Sequence, residues 1–190
     1  MELSGSRTEK NLMTAFAGES QARNRYTYFA GIARKAGFEQ IAAFFLETAD
    51  NEKEHAKRYY TLLPEGAQVE IQATFPKILG STIENLREAA AGEHMEWKTL
   101  YPGFAKVADE EGFPEAAEAF RRISMVEKQH EKRYLGLLQN LIDDRAFHRE
   151  RPVAWKCRNC GYVHEGTHAP EKCPACLHPK AHFELLAENW

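Results

Sequence analysis

The chain of 190 residues has no cysteine before Cys157. A secreted protein held by disulfides would spread its cysteines more widely, so that class is excluded. No apolar run approaches the roughly 18 residues that a membrane span needs. Lysine and arginine form no block, and 25 of them face 28 Asp and Glu for a net charge of −3. That balance excludes an electrostatic nucleic-acid binder. The start, Met1-Glu2-Leu3-Ser4, has neither the basic region nor the apolar stretch of a signal peptide. The expectation is a soluble, cytoplasmic protein with no membrane or nucleic-acid partner.

Glycine and proline are scarce between about Arg7 and Arg145, and most sit where helices should stop. Ala, Glu, Leu, Lys and Arg fill the rest. Four long helices are predicted, over about 7–36, 38–63, 80–111 and 114–144. Gly37, Pro64-Glu65-Gly66 and Gly112 end the first three, and Pro114 is a favoured first-turn residue for the fourth. Tyr101-Pro102-Gly103 predicts a kink or break in the third. The second helix carries Ile41, Phe45, Thr48, Glu52, His55, Tyr59 and Leu62 at alternating steps of four and three. The fourth carries Phe120, Ile123, Glu127, His130, Tyr134, Leu137 and Leu141 in the same rhythm. In the third, Leu86, Glu93, Leu100 and Val107 recur at sevens. This is the seam of a bundle built from two helical hairpins and a longer crossover.

Glutamates and histidines occupy that seam. Glu52-x-x-His55 and Glu127-x-x-His130 each place two ligand types on one helix face. Glu19 lies on the first helix, and Glu93 and Glu96 lie on the third. Glu19 to Glu52 is 33 residues and Glu93 to Glu127 is 34, so each half repeats the same plan. Buried carboxylates cannot all stay ionised without countercharge, and no set of Arg or Lys is in phase to supply it. Two metal ions would. Mixed carboxylate and imidazole donors suit iron or manganese, as in the carboxylate sites of ferritin-like bundles. Glu96 is one carboxylate beyond that template: a solvated bystander, or a ligand that exchanges between oxidation states. Tyr26 and Tyr101 lie within about two turns of these residues, as packing groups or as hydrogen-bond donors to ligand carboxylates.

After Arg145 the composition changes. Residues 146–154 read as a linker, and from Trp155 the chain is turn-rich and too small for a substantial core. Cys157-x-x-Cys160, then twelve residues, then Cys173-x-x-Cys176 make a tetrahedral thiolate site for zinc or a single iron. Spacing alone leaves both open, with zinc the commoner occupant. His148, His164, His168, His178 and His182 have no ligand spacing and read as surface residues.

Taken in order, Gly18-Glu19-Ser20-Gln21-Ala22-Arg23, Glu52-Lys53-Glu54-His55, Gly92-Glu93-His94-Met95-Glu96, Glu127-Lys128-Gln129-His130 and the cysteine module resemble the rubrerythrin family over nearly the whole chain. The resemblance implies a mainly α protein. Residues 1–145 would be a ferritin-like four-helix di-iron bundle, 146–154 a linker, and 155–190 a small rubredoxin-like β/loop domain. It implies Glu19, Glu52, His55, Glu93, Glu96, Glu127 and His130 as ligands of two non-haem irons. It implies Cys157, Cys160, Cys173 and Cys176 as ligands of one further iron. One iron would move between Glu96 and His55 on reduction, with Tyr26 and Tyr101 bonding near the metals. The implied activity is a peroxidase that reduces hydrogen peroxide to water and protects against oxidative stress. Electrons would come from rubredoxin or an NAD(P)H-dependent reductase, and the chain would act as a homodimer. Ferroxidase or iron-handling activity, an oxygen-activating di-iron protein and a structural zinc protein are the competing readings.

Overall fold

A computed structural model describes residues 2–189. Helix α1 spans Arg7–Lys35, and its N-terminus is closed by Ser6, whose side chain accepts from the Glu9 N–H. It ends at Gly37, which adopts φ 85, a left-handed turn that glycine enters without Cβ strain. Helix α2 spans Glu39–Tyr60. A crossover without regular structure leads to α3, Thr82–Met95, which opens with a capping box between Ser81 and Glu84. Helix α4 covers Tyr101–Glu111, and α5 covers Pro114–Ile142 with Pro114 in its first turn. Helices α1 and α2 form one hairpin, and α3 and α4 pack against α5 as the other.

The expected break in the third helix takes a specific form. Glu96–Leu100 is a π-helical segment immediately before the Tyr101-Pro102-Gly103 sequence. A π turn holds one residue more than an α turn, so it shifts the helical phase. The fully buried residues beyond it are Tyr101 and Ala108, whereas Leu100 and Val107 are only partly buried. The seam therefore runs Leu86, Glu93, Tyr101, Ala108, one residue out of step with the sevens after Glu93.

The bundle core is interrupted rather than continuous. One apolar cluster contains Tyr26, Phe29, Phe45, Leu86 and Tyr134. Another contains Leu12, Tyr59, Tyr101, Phe120 and Ile123. A polar layer of Glu19, Glu52, Glu93, Glu127 and His130 is buried as deeply as either cluster. The apolar clusters exclude water from both ends of that layer.

The C-terminal domain is a three-stranded antiparallel sheet in the order β2-β1-β3. Its strands are β1, His148–Cys157; β2, Val163–His168; and β3, Phe183–Leu185. Most of the segment expected to be a linker, residues 148–154, is thus part of β1. Its charged run His148-Arg149-Glu150-Arg151 hides the pairing in the sequence. Pro152 sits where the register shifts between His148 and Val153, the kind of irregularity that admits proline in a strand. Trp155, Ala169 and Phe183 pack against Cys157 and Cys173 to form the small core. The domain rests on the α1–α2 turn, where Phe147 stacks on Phe38 with ring centroids 6.0 Å apart. No helix among the described residues is long and apolar enough to cross a membrane.

Candidate metal centres

The helix phases bring the expected bundle residues together. Glu19, Glu52, His55 and Glu127 each offer a ligand atom, and these atoms lie within 4.8 Å of one another. Glu52, Glu93, Glu127 and His130 form a second such group. Glu52 and Glu127 belong to both, so the groups share two carboxylates and describe a paired site. His55 Nδ1 is 2.9 Å from both Glu52 and Glu127. Glu96 belongs to neither group; it lies half-buried on the π segment beside them.

Unpaired atoms show that the donor set fits metal. Glu19 Oε2, Glu52 Oε1, Glu93 Oε2, both Glu127 oxygens and His130 Nδ1 are buried without a hydrogen-bond partner. His130 Nδ1 is 2.7 Å from Glu127 Oε2, yet the two do not meet in hydrogen-bond geometry. Donor atoms that converge on a shared point rather than on each other are arranged as ligands. His130 Nε2 lies 3.3 Å from Asn51 Oδ1, a bond that leaves the Nδ1 lone pair facing the carboxylates. Asn51 carries no ligand spacing and was not legible in the sequence.

The two tyrosines hold carboxylates. Tyr26 Oη donates to Glu93 Oε1 at 2.7 Å, and Tyr101 Oη donates to Glu19 Oε1 at 2.5 Å. Tyr134 packs on Tyr26, and Tyr59 packs on Tyr101. Each ligand histidine is thus followed one turn later by a tyrosine that backs the opposite hairpin's donor.

Charge explains why the layer suits metal. Burial, and then the neighbouring Glu127 and Glu52 carboxylates, hold Glu19 and Glu96 well above the ordinary carboxylate range. Burial and the same two neighbours raise Glu93 as well. Burial opposes ionised Glu52 too, but the close His130 and His55 imidazoles outweigh it and lower its pKa. Burial also opposes the charged imidazoles, yet their carboxylate partners raise His55 to about 10 and His130 to about 9. Without metal the layer is neutralised by protons; cations would replace them. Arg25 qualifies the expectation that no basic residue lies in phase. It pairs with Glu88 at 3.4 Å and favours ionised Glu96. A cleft of about 580 Å³ between the crossover and the bundle reaches Glu96, and Gly18, Phe75, Gly92 and Tyr101 line it.

The four cysteines are free thiols whose sulfurs also lie within 4.8 Å of one another. The Cys157–Cys176 and Cys160–Cys173 sulfurs are 3.8 and 3.6 Å apart. A tetrahedron with about 2.3 Å metal–sulfur bonds has edges of about 3.8 Å, so the cage fits a tetrahedral ion. Gly161 N–H bonds Cys157 O and Leu177 N–H bonds Cys173 O, both at 2.9 Å, which makes two matching knuckles. The turn uses glycine at φ 81 in the first and Leu177 at φ 62 in the second. The His178 backbone N–H lowers Cys176 to about 5. At Cys160 the Tyr162 N–H favours the thiolate, but the facing sulfurs push it up to about 12. His148 stacks on His168 and His178 lies edge-on to His182, outside any group of metal donors among the described residues.

Comparison with known proteins agrees with this geometry. Residues 10–138 match the rubrerythrin family model, and residues 155–184 match the model of the rubrerythrin rubredoxin-like domain. The chain belongs to the rubrerythrin family. It is 59% identical to the rubrerythrin of Nitratidesulfovibrio vulgaris over 99% of this chain and 98% of that protein. The rubrerythrin of Porphyromonas gingivalis is 58% identical over 99% of this chain and 94% of its own. Among solved structures, partially reduced nigerythrin superposes with a TM-score of 0.64 at 35% identity, over 97% of this chain and 91% of that one. Family membership fits a four-helix ferritin-like bundle with a carboxylate and histidine di-metal site, joined to a small β domain with a four-cysteine site.

Proposed function

We propose that the chain is a non-haem di-iron peroxidase that reduces hydrogen peroxide to water, with electrons relayed through iron at the four-cysteine site. The observation that carries this reading is the presence of both centres in one chain. A paired, water-excluded carboxylate site performs two-electron chemistry, and a thiolate iron delivers electrons singly. An iron-storage or ferroxidase role would leave the cysteine domain without a purpose.

Glu19, Glu52, His55, Glu93, Glu127 and His130 would hold the iron pair, and Cys157, Cys160, Cys173 and Cys176 the single iron. When bound and reduced, the pair supplies two electrons and Lewis acidity for cleavage of the O–O bond, which with two protons gives two waters. The chain's residues do the rest. Tyr26 and Tyr101 keep Glu93 and Glu19 oriented by hydrogen bonds. Asn51 aims His130. Glu96 borders a cleft that would admit a small oxidant, and it would exchange with His55 or pass a proton. His55 lies inside a donor group and Glu96 outside it, so His55 would be the ligand closer to hand. Exposed Cys160 gives an electron-donor protein access to the thiolate site.

The test is an anaerobic visible spectrum of protein reduced with dithionite, then titrated with hydrogen peroxide or with oxygen. The expected result is a red protein that bleaches on reduction and regains its bands faster with peroxide. Faster reoxidation by oxygen overturns the peroxidase reading, and a colourless protein holding only zinc overturns the redox role. Glu96→Ala should slow peroxide turnover at least about tenfold, roughly 1.4 kcal/mol of transition-state stabilisation, with the thiolate-iron spectrum intact. Unchanged turnover removes Glu96 from the mechanism.

A further inference from the structure

Pro102 dictates which carbonyls the third helix leaves without a donor. In an α register the Lys98 carbonyl would accept from residue 102, which as proline has no N–H. The chain adopts a π turn instead, and the Tyr101 N–H goes to Glu96 O. The π partner of Trp97 O is then residue 102, so Trp97 O is the carbonyl that lacks a main-chain donor. Ser124 of α5 lies opposite, and its hydroxyl donates to Trp97 O at 3.1 Å. A half-buried carbonyl that helix geometry orphans is satisfied by a side chain from the neighbouring helix.

The Trp97 side chain is held by the same helix. Its indole N–H donates to Glu131 Oε2 at 2.5 Å, and His94 Nδ1 lies 2.9 Å from Glu131 Oε1. Glu131 therefore ties the last turn of α3 to the π segment. Lys98 and Lys128 flank the indole ring at 5.5 and 5.1 Å from its centroid. On α5, Ser124 and Glu131 bracket Glu127 and His130, so one helix carries both metal donors and the residues that grip the π turn.

The register matters for the site. Glu93 and Tyr101 are eight residues apart, which on an uninterrupted α-helix is about 80° out of phase. The extra residue of the π turn brings both into the buried layer, Glu93 against Tyr26 and Tyr101 against Glu19. Glu96 is the first residue of that turn.

We propose that Ser124 and Glu131 are positioning residues that, with Pro102, select the π register of Glu96–Leu100 and thereby fix where Glu96 stands beside the metal pair. The part concerning Glu96 rests on its reading as an exchanging ligand; the register selection does not. Satisfaction of Trp97 O by Ser124 is needed only while residue 102 is proline.

The experiment is hydrogen–deuterium exchange of the full-length, iron-loaded protein, followed in peptides covering 96–101 and in a control region of α2. Ser124→Ala should raise exchange in 96–101 at least about tenfold with α2 unchanged, and Ser124→Thr should retain protection. In a Pro102→Ala background, where residue 102 regains its N–H, adding Ser124→Ala should have little further effect. No change in Ser124→Ala, or an equal change in both backgrounds, overturns the register argument. Glu131→Gln retains an acceptor and should keep most protection, whereas Glu131→Ala should not; equal protection in the two removes Glu131. The near-ultraviolet spectrum of the ferric pair should shift in Ser124→Ala. An unshifted spectrum alongside increased exchange overturns the link to Glu96 while leaving the peroxidase reading to its own test.

Discussion

Asn51 shows what a single residue contributes to a candidate metal site without belonging to either donor group. Its side-chain oxygen lies 3.3 Å from His130 Nε2, and the carboxylates crowd the other ring nitrogen. Partners of this kind fix the tautomer and the ring plane, and their loss typically costs ten- to a hundredfold in metal affinity or activity. Asn51→Ala should weaken metal binding to the bundle by roughly that factor, with the thiolate site unaffected. Competition with a chelator of known affinity checks this, and an unchanged affinity would show that packing alone orients His130. The sequence exposed the donors themselves, because a carboxylate or imidazole in phase with an apolar seam has no inexpensive alternative explanation. It did not expose Asn51, Ser124 or Glu131. These are ordinary polar residues whose role depends on which helix lies opposite. Leu177 is a related case: it stands where the matching knuckle has Gly161, and only its φ of 62 reveals the correspondence.

At the scale of the element, helix ends were more legible than helix interiors. Gly37, Gly112 and Pro114 mark boundaries through local backbone chemistry, and the structure ends or starts helices beside each of them. The capping box of α3 is another local device. Ser81 accepts from the Glu84 N–H, and the Glu84 carboxylate accepts from Ser81 N and Oγ. Ser81→Ala should destabilise the bundle by about 1 kcal/mol, a fall in Tm of roughly 2–4 °C for a chain of this size. Thermal unfolding of the metal-free protein checks it, and an unchanged Tm would mean that the crossover alone anchors α3. The π segment was harder to see, because a proline warns of an interruption without choosing its form. The form proposed above depends on one carbonyl of the π segment, Trp97 O, meeting the Ser124 hydroxyl of α5, a tertiary fact. The same holds for β1, where His148 and Val153–Lys156 pair with β2 on either side of a charged, proline-containing stretch whose composition reads as a linker.

For the whole molecule, protons and metals compete for the same layer. His55 and His130, raised to about 10 and about 9 from an ordinary 6.5, bind protons more tightly in the folded state. Their stabilisation is complete below the ordinary value and is lost as pH rises through the folded values. Glu19, Glu93 and Glu96 are also raised, so the unfolded chain releases their protons near 4.5 while the fold retains them. Both sets act in one direction. The Tm of metal-free protein should fall steadily between about pH 5 and pH 10, and iron-loaded protein should show a much weaker slope. Parallel slopes in the two forms would mean that metal does not occupy this layer. The placement of the domains bears on how electrons travel. The β domain rests on the α1–α2 turn, and Glu39 to Glu52 alone covers about 20 Å of helix. The family resemblance implies that an iron at the cysteine site serves the pair of a second copy in a homodimer, and a domain resting at the α1–α2 end of the bundle is compatible with that route. Two inactive variants test this. Cys160→Ser should remove electron entry, and Glu127→Ala removes a carboxylate common to both donor groups. If electrons cross between chains, unfolding and refolding the two together with iron should restore activity. In a mixed dimer the intact cysteine site of one chain faces the intact bundle of the other. Random pairing makes half of the dimers mixed, and each holds one working combination, so recovery should reach about a quarter of wild-type turnover. If transfer stays within a chain, no mixed dimer contains a chain with both centres intact, and turnover should remain at the level of the separate variants.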